Sequence, residues 1–131
     1  MRTLENLSTL AHPFQYGGRD IRIAVDDRGM AWFCAMDVFE ALEIEWKGNG
    51  SLENFPERWQ GVLPIRPPGG TQEAVFISEA ATYRVVFYSN KPEAETFAEW
   101  ISEDVLPALR LLWRGGQPAT AQSLSIGVRH G

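Results

Sequence analysis

Hydrophobic and polar residues alternate along residues 19–25, as they do in a strand that buries one face against a core. The turn-forming residues 26–29 follow, and their glycine is free to adopt a positive φ. An apolar segment, residues 30–35, comes next, so the pattern predicts a β-hairpin. Residues 62–66 and 71–77 flank a Pro-Pro-Gly-Gly sequence and predict a second hairpin.

Three further segments have helical spacing. In the first, residues 36–44, Asp37 lies near the start, where a carboxylate can cap free N–H groups or favour the positive end of the helix dipole. Ser78 is predicted to be the N-cap of a second helix, residues 79–88. The apolar face of the first helix is predicted to contain Val38, Phe39, Ala41 and Leu42.

The third helix is predicted to be the longest and to start at Pro92, because a proline at the first helical position loses no hydrogen bond. Glu93 and Glu95 in its first turn complement the helix dipole. Pro107 is expected to kink or restart this helix near Asp104. Its apolar stripe recurs every three or four residues, at Ala94, Phe97, Ala98, Ile101, Val105, Ala108, Leu109 and Leu112.

These elements predict an α+β fold in which two β-hairpins pack with about three helices, the last of them long and kinked. A length of 131 residues fits one domain. We expect a leader at residues 1–15, the domain at residues 16–114 and a flexible tail at residues 115–131. The irregular segment between the first helix and the second hairpin is expected to pack onto the core through Trp46, Leu52, Phe55 and Trp59.

No arrangement of residues predicts catalysis, a cofactor or a metal site. His12 and His130 lie in the predicted leader and tail, and no Cys/His set has the spacing of zinc ligands. Cys34, the single cysteine, is interpreted as a small buried hydrophobic residue of a strand. A chain with one cysteine cannot form an intrachain disulfide, which fits a reducing cytosol.

Acidic residues exceed basic ones, 17 against 12, which gives a net charge of −5. The excess is concentrated in two segments: residues 29–88 carry four basic and eight acidic residues, and residues 89–106 carry Lys91 against five acidic residues. Residues 107–131 instead carry three arginines and no acidic residue. This balance disfavours a nonspecific DNA-binding protein, which needs a broad basic face, but it permits a local basic patch.

Several sequence blocks carry a family resemblance. They are PPGGTQE at residues 67–73, ISE at 77–79, YR at 83–84, SNKPEAETF at 89–97, EWI at 99–101 and VLPALR at 105–110. In this order they resemble the Bro-N domain of viral Bro proteins and prophage antirepressors, and WFCAMDVFEAL and WKGNGSLENFPERWQGV are similar to the front half of that domain. The resemblance covers residues 14–113. It implies a phage- or prophage-encoded regulator, cytoplasmic in a bacterial host, which acts on DNA or on a repressor and is not an enzyme.

The sequence departs from that family at two positions, and both changes remove positive charge. Met36 stands where many relatives have a lysine, and Tyr88 stands where an arginine is usual. Many relatives also carry a second, C-terminal domain, whereas about seventeen residues follow Arg114 here. We therefore expect the activity to reside in this module or in an assembly of it. Whether the chain forms a homo-oligomer stays open.

Two partners remain open at this point. For a repressor-type protein, which the charge favours, the candidate contacts are Trp100, Glu99, Glu103 and Asp104. Trp100 borders the apolar stripe, so it is either packed at the edge of the core or an exposed anchor for a partner. For duplex DNA, the candidate basic patch consists of Arg66, Arg84, Lys91, Arg110 and Arg114; the alternative is that these five residues are scattered over the surface.

Overall fold

A computed structural model describes residues 1–10, 13–65, 70, 72–89, 91–114 and 117–118. The strands in chain order are β1 (Ser8–Thr9), β2 (Phe14–Tyr16), β3 (Arg19–Ile21), β4 (Ile23–Val25), β5 (Ala31–Cys34), β6 (Gln60–Ile65), β7 (Gln72–Ser78), β8 (Trp113–Arg114) and β9 (Gln117–Pro118). The helices are α1 (Ala35–Ala41), α2 (Glu79–Tyr88), α3 (Glu93–Trp100) and α4 (Leu106–Leu112), with a π-helical turn (Ile101–Val105) between α3 and α4. Two 3₁₀ segments, Gly48–Leu52 and Glu57–Trp59, precede β6. The predicted α+β class is confirmed.

The main sheet is antiparallel and has the strand order β1-β4-β5-β7-β6. Residues 2–9, here called the N-terminal strap, contact both sides of it. At one end, the Leu4 N–H donates to the Val62 carbonyl and the Val62 N–H donates to the Arg2 carbonyl, both at 2.9 Å. At the other end, β1 pairs with β4. The strap thus closes the curled sheet into a small barrel, and the segment that the sequence predicts as a leader is part of the fold.

Strand alternation divides the apolar side chains between two cores, because successive residues face opposite sides of a sheet. The core inside the barrel contains Leu4, Ala24, Trp32, Cys34, Leu63 and Phe76. The residues between these positions, such as Ile23, Phe33 and Ile77, face outward into a larger core with the helices. The barrel and the helical layer therefore share a single sheet.

The predicted hairpin of β4 and β5 is confirmed, and Asp26 holds its turn. The Asp26 carboxylate accepts hydrogen bonds from the backbone N–H groups of Arg28 and Met30, both at 2.9 Å, and from the Trp32 indole N–H at 3.1 Å. Gly29 has φ 78°, which suits glycine. The second predicted hairpin is also confirmed, since β6 pairs with β7 from Gln60↔Ile77 to Ile65↔Gln72.

The sequence prediction missed the hairpin of β2 and β3. The segment predicted as one strand is divided at Arg22 into β3 and β4, and β3 pairs with β2 instead of joining the main sheet. The turn between β2 and β3 consists of Gly17 and Gly18, both with positive φ. This hairpin places Phe14 and Tyr16 over α3.

The first two helices form close to the predicted positions. The predicted apolar face of α1 is buried at all four residues, the last of which, Leu42, directly follows the helix. Asp37 does not cap the helix; it faces back and forms an ion pair with Arg22. In α2, the predicted N-cap is confirmed, because the Ser78 hydroxyl oxygen accepts from the Ala81 N–H at 3.2 Å.

The third predicted helix is the continuous run of α3, the π turn and α4, and it is the longest. Pro107 has no N–H to donate one turn back, and the π turn begins six residues before it, so the irregularity falls where the sequence places it. Of the predicted apolar stripe, Ala94, Phe97, Ile101, Val105, Ala108 and Leu109 are buried, and Ala98 is partly buried. The Leu112 side chain and most of the predicted tail lie outside the described residues. Of the tail, the structure describes Gln117–Pro118, which pairs with Trp113–Arg114.

Gln60 holds the irregular segment against the helical core. Its side-chain amide donates to the carbonyls of Leu52, Phe55 and Pro56 at 3.1–3.3 Å. Leu52 is fully buried, and Phe55 and Trp59 pack at the margin of the core. The prediction that this segment packs onto the core is confirmed.

Candidate partner-binding surfaces

Three glutamates form an acidic stripe, which we define as Glu95, Glu99 and Glu103. They follow each other at intervals of four residues along α3 and the π turn, and all three are exposed. Within the described part of the chain, none of them forms a salt bridge. Like charges one turn apart destabilise a helix by a few tenths of a kcal/mol per pair, so the stripe is an unfavourable arrangement for the isolated domain.

The two other residues predicted for this surface are buried. Trp100 is 0% exposed and packs against Phe14, Tyr16 and Phe97, with ring centroids 6.3, 5.2 and 5.3 Å away. Asp104 is 4% exposed. Trp100 is covered by the hairpin that sequence reasoning missed, and the wider π turn changes the phase of the helix at Asp104. Both residues therefore belong to the core and not to a surface.

The aromatic side chains that do reach solvent are Phe87 and Tyr88, at the end of α2. They are 83% and 64% exposed, and their ring centroids lie 6.2 Å apart. Tyr88 also borders an apolar groove with Val85 and Phe55. Large exposed aromatic residues are enriched at protein interfaces. Their sequence signal is weak, because the run at the end of α2 is apolar on all sides.

Of the five predicted basic residues, the structure describes the side chains of three, Arg84, Lys91 and Arg110. Lys91 donates to the Glu43 carbonyl at 2.9 Å and lies 3.9 Å from its carboxylate, so its charge is partly neutralised. Arg110 is exposed on α4. Arg66 and the Arg114 side chain lie outside the described residues.

Arg84 belongs to a different basic group, here called the arginine–tryptophan patch: Arg2, Arg58, Trp59 and Arg84. The Arg84 guanidinium lies 4.5 Å from the centre of the Trp59 ring, and that of Arg58 lies 5.6 Å from it. Arg2 donates to the Arg58 carbonyl at 3.0 Å. Among the described residues, no carboxylate forms a salt bridge with any of the three arginines. Only the neighbouring Arg58 and Trp59 could have been grouped from the sequence, because Arg2 and Arg84 are distant along the chain.

A buried polar group lies between the barrel and α1. Asp37 accepts two hydrogen bonds from the Arg22 guanidinium, from Nε at 2.9 Å and from Nη2 at 3.0 Å, and a third from the Arg22 backbone N–H at 2.9 Å. These contacts raise the pKa of Arg22. Burial, and then the Asp37 charge, raise the pKa of the Cys34 thiol to about 11, so Cys34 is protonated and unreactive at neutral pH.

The described residues contain no group of three or more His, Cys, Asp or Glu side chains placed to hold a metal ion. In the same part of the chain, no helix combines the length and the apolar composition that crossing a membrane requires.

The sequence model of the BRO family N-terminal domain matches residues 20–107. The chain belongs to the BRO family. A relative from Haemophilus influenzae, named only as an uncharacterized protein, is 34% identical over 99 residues, which is 74% of this chain and 48% of that protein. The chain thus spans about half the length of this curated relative. No solved structure matches the chain.

Within this BRO-family domain, the matched range begins in β3 and ends in α4. It includes the acidic stripe and the aromatic pair Phe87 and Tyr88. It also includes Arg58, Trp59 and Arg84. Arg2 and the N-terminal strap precede the matched range, although they complete both the barrel and the arginine–tryptophan patch.

Proposed function

We propose that this BRO-family domain is a phage-type transcription regulator that acts by binding a repressor-type protein. The observation that carries the proposal is the acidic stripe, with three exposed carboxylates on one helix and no cation paired with them in the described part of the chain. The repulsion between these glutamates lowers the stability of the domain when it is unbound. A basic partner that neutralises them on binding would explain why the arrangement exists.

The DNA-reading surface of a repressor has the chemistry that fits this stripe. Such a surface carries the Lys and Arg side chains that neutralise phosphates, and a helix lined with carboxylates can compete for them. Charge complementarity mainly increases the association rate and suppresses wrong partners. Duplex DNA, in contrast, would be repelled by the same helix.

Affinity for such a partner requires apolar anchors in addition to charge. The buried Trp100 cannot serve, so we assign this role to Phe87 and Tyr88. A short connection, residues 89–92, joins the helix that carries them to the helix that carries the stripe. Burying one large side chain contributes about 1.5–3 kcal/mol, so two such residues can account for a substantial part of a specific interaction.

The test begins with capture of proteins from the lysate of a host, with and without nuclease, followed by binding measurements with the purified captured protein. Replacing the three glutamates of the stripe with glutamine should slow association at least ten-fold and reduce its dependence on salt. The matched control replaces Glu40, Glu45 and Glu53, which are exposed elsewhere, and should retain the wild-type rate. Loss of the captured protein after nuclease treatment, or equal rates for both variants, would contradict the proposal.

Direct binding of duplex DNA is the second candidate, and the arginine–tryptophan patch is the observation that favours it. Three arginines without a carboxylate partner, two of them stacked on an indole ring, could contact phosphates and bases. Replacing Arg58 and Arg84 with alanine would then reduce the slope of log affinity against log salt by about one unit per lost contact, while replacing Arg19 and Arg28 would not. Submicromolar binding to duplex DNA at physiological salt, controlled by Arg58 and Arg84, would refute the repressor-binding proposal.

A further inference from the structure

A groove opens at one end of the barrel, which we call the barrel mouth. It is lined by two polar residues, Thr9 and Arg22, and by six apolar ones: Leu10, Pro13, Ile23, Pro64, Ile65 and Phe76. The groove has a volume of about 390 Å³, near the lower end of the range for small-molecule sites. The mouths of barrels are among the places where such sites occur.

Arg22 is held in one position at this mouth. Strand alternation places it on the same side of the sheet as Ala24, and its Nη2 donates to the Cys34 sulfur, which lies inside the barrel, at 3.2 Å. Asp37 accepts from both Nε and Nη2, as described above. A guanidinium fixed by a bidentate carboxylate is pre-organised, so a ligand does not have to order it.

The other edge of this guanidinium remains open. Nη1 makes no hydrogen bond to any of the described residues, and the Arg22 side chain is 36% exposed. An ion pair that served only to join β4 to α1 would be complete with Nε and Nη2. Nη1 keeps two N–H groups for another acceptor, and Arg22 lines a groove in which Thr9 is the other polar residue.

The geometry points to a binding site for a small apolar monocarboxylate at the barrel mouth. The hydrocarbon part of the ligand fills the groove beside Ile65 and Phe76, and one carboxylate oxygen accepts from Arg22 Nη1. Arginine bridges two carboxylates in this arrangement, that of Asp37 and that of the ligand. Because Asp37 already offsets the positive charge, the hydrophobic contacts supply most of the affinity and Arg22 supplies the preference for the carboxylate.

The experiment is a titration of the whole chain with hexanoate, 1-hexanol and hexylamine, followed by NMR of the arginine side-chain N–H groups and by Trp32 fluorescence. Hexanoate should bind at least ten-fold more tightly than hexanol, hexylamine should bind more weakly than both, and the Arg22 resonances should shift only with hexanoate. Equal affinity for the three compounds, or no binding of hexanoate, would overturn the inference.

Two variants locate the site. Thr9→Trp fills the mouth from an exposed position and should abolish hexanoate binding, whereas Ser8→Trp, on the opposite face of the same strand, should leave it unchanged. Arg22→Lys should remove the preference for hexanoate over hexanol. Arg28→Lys, in the turn between β4 and β5, is its control. Hexanoate binding that survives Thr9→Trp would place the ligand elsewhere and refute the proposal. This test does not depend on the Arg22→Lys protein, so it still applies if that variant fails to fold.

Discussion

Closure of the barrel by the N-terminal strap can be tested at Gly61. This glycine lies in β6 and faces the interior of the barrel, directly opposite Leu4. A Cβ atom added there would lie 2.5 Å from both Cγ and Cδ2 of Leu4 and 3.0 Å from the Arg2 carbonyl oxygen. Contacts this short cannot persist, so Gly61→Ala must displace the strap or the Leu4 side chain.

The size of the effect follows from what resists this displacement. The Arg2 carbonyl is held by the Val62 N–H at 2.9 Å, and Leu4 is buried in the barrel core. Overpacking of this kind costs about 1–3 kcal/mol of the free energy of unfolding. With a urea dependence of about 1–3 kcal/mol per molar, the unfolding midpoint should fall by on the order of 1 M.

The assay is urea unfolding followed by circular dichroism, arranged as a double-mutant cycle with Leu4→Ala. Leu4→Ala alone should cost about 2–5 kcal/mol, but it also removes the atoms with which the new methyl group collides. The double variant should therefore be more stable than the sum of the two effects predicts, by about 0.5–3 kcal/mol. Gly50→Ala is the control, because a Cβ added at Gly50 would have no atom within 4 Å apart from the neighbouring backbone.

Two results would refute this reasoning. One is a Gly61→Ala protein as stable as the wild type, which would mean that Leu4 does not lie against β6. The other is strict additivity in the cycle, which would mean that the two residues do not contact each other.

Three further predictions concern the helices and the buried thiol. Leu109→Ala should lower the free energy of unfolding by about 2–5 kcal/mol, and an unchanged urea midpoint would place this residue outside the core. Ser78→Ala should cost about 1 kcal/mol, measured in the same way, because the Ala81 N–H loses its acceptor; Ser78→Thr, which keeps a hydroxyl, should cost less. Burial raises the pKa of the Cys34 thiol to about 11 in the fold, from an ordinary value of 9.0. Between these two values only the unfolded chain releases the proton, so stability should fall as pH rises from 9 to 11. Urea midpoints measured across this range should fall less steeply for Cys34→Ala, and parallel curves would contradict the assignment.

Local features of the sequence were sufficient for most of the secondary structure. The hairpin of β4 and β5 depends on alternation and a turn within a few residues, and the Ser78 cap lies directly beside the helix that it starts. The apolar stripe of the longest helix and the irregularity before Pro107 are also properties of one continuous segment. The exposed Glu99 and Glu103 could be predicted for the same reason, since they lie off that stripe.

Contacts between distant segments decided the rest. Trp100 is buried because Phe14 and Tyr16, more than 80 residues earlier, lie on it. Asp37 binds Arg22 instead of capping its own helix, and Arg84 joins Arg2 and Arg58 instead of Lys91. Periodicity assigns a side chain to one face of its own element, but the element that covers this face, and whether a π turn rotates it, depends on how the whole chain packs. The sequence thus determined the elements and their apolar faces, and the tertiary structure determined which polar and aromatic groups reach the surface together.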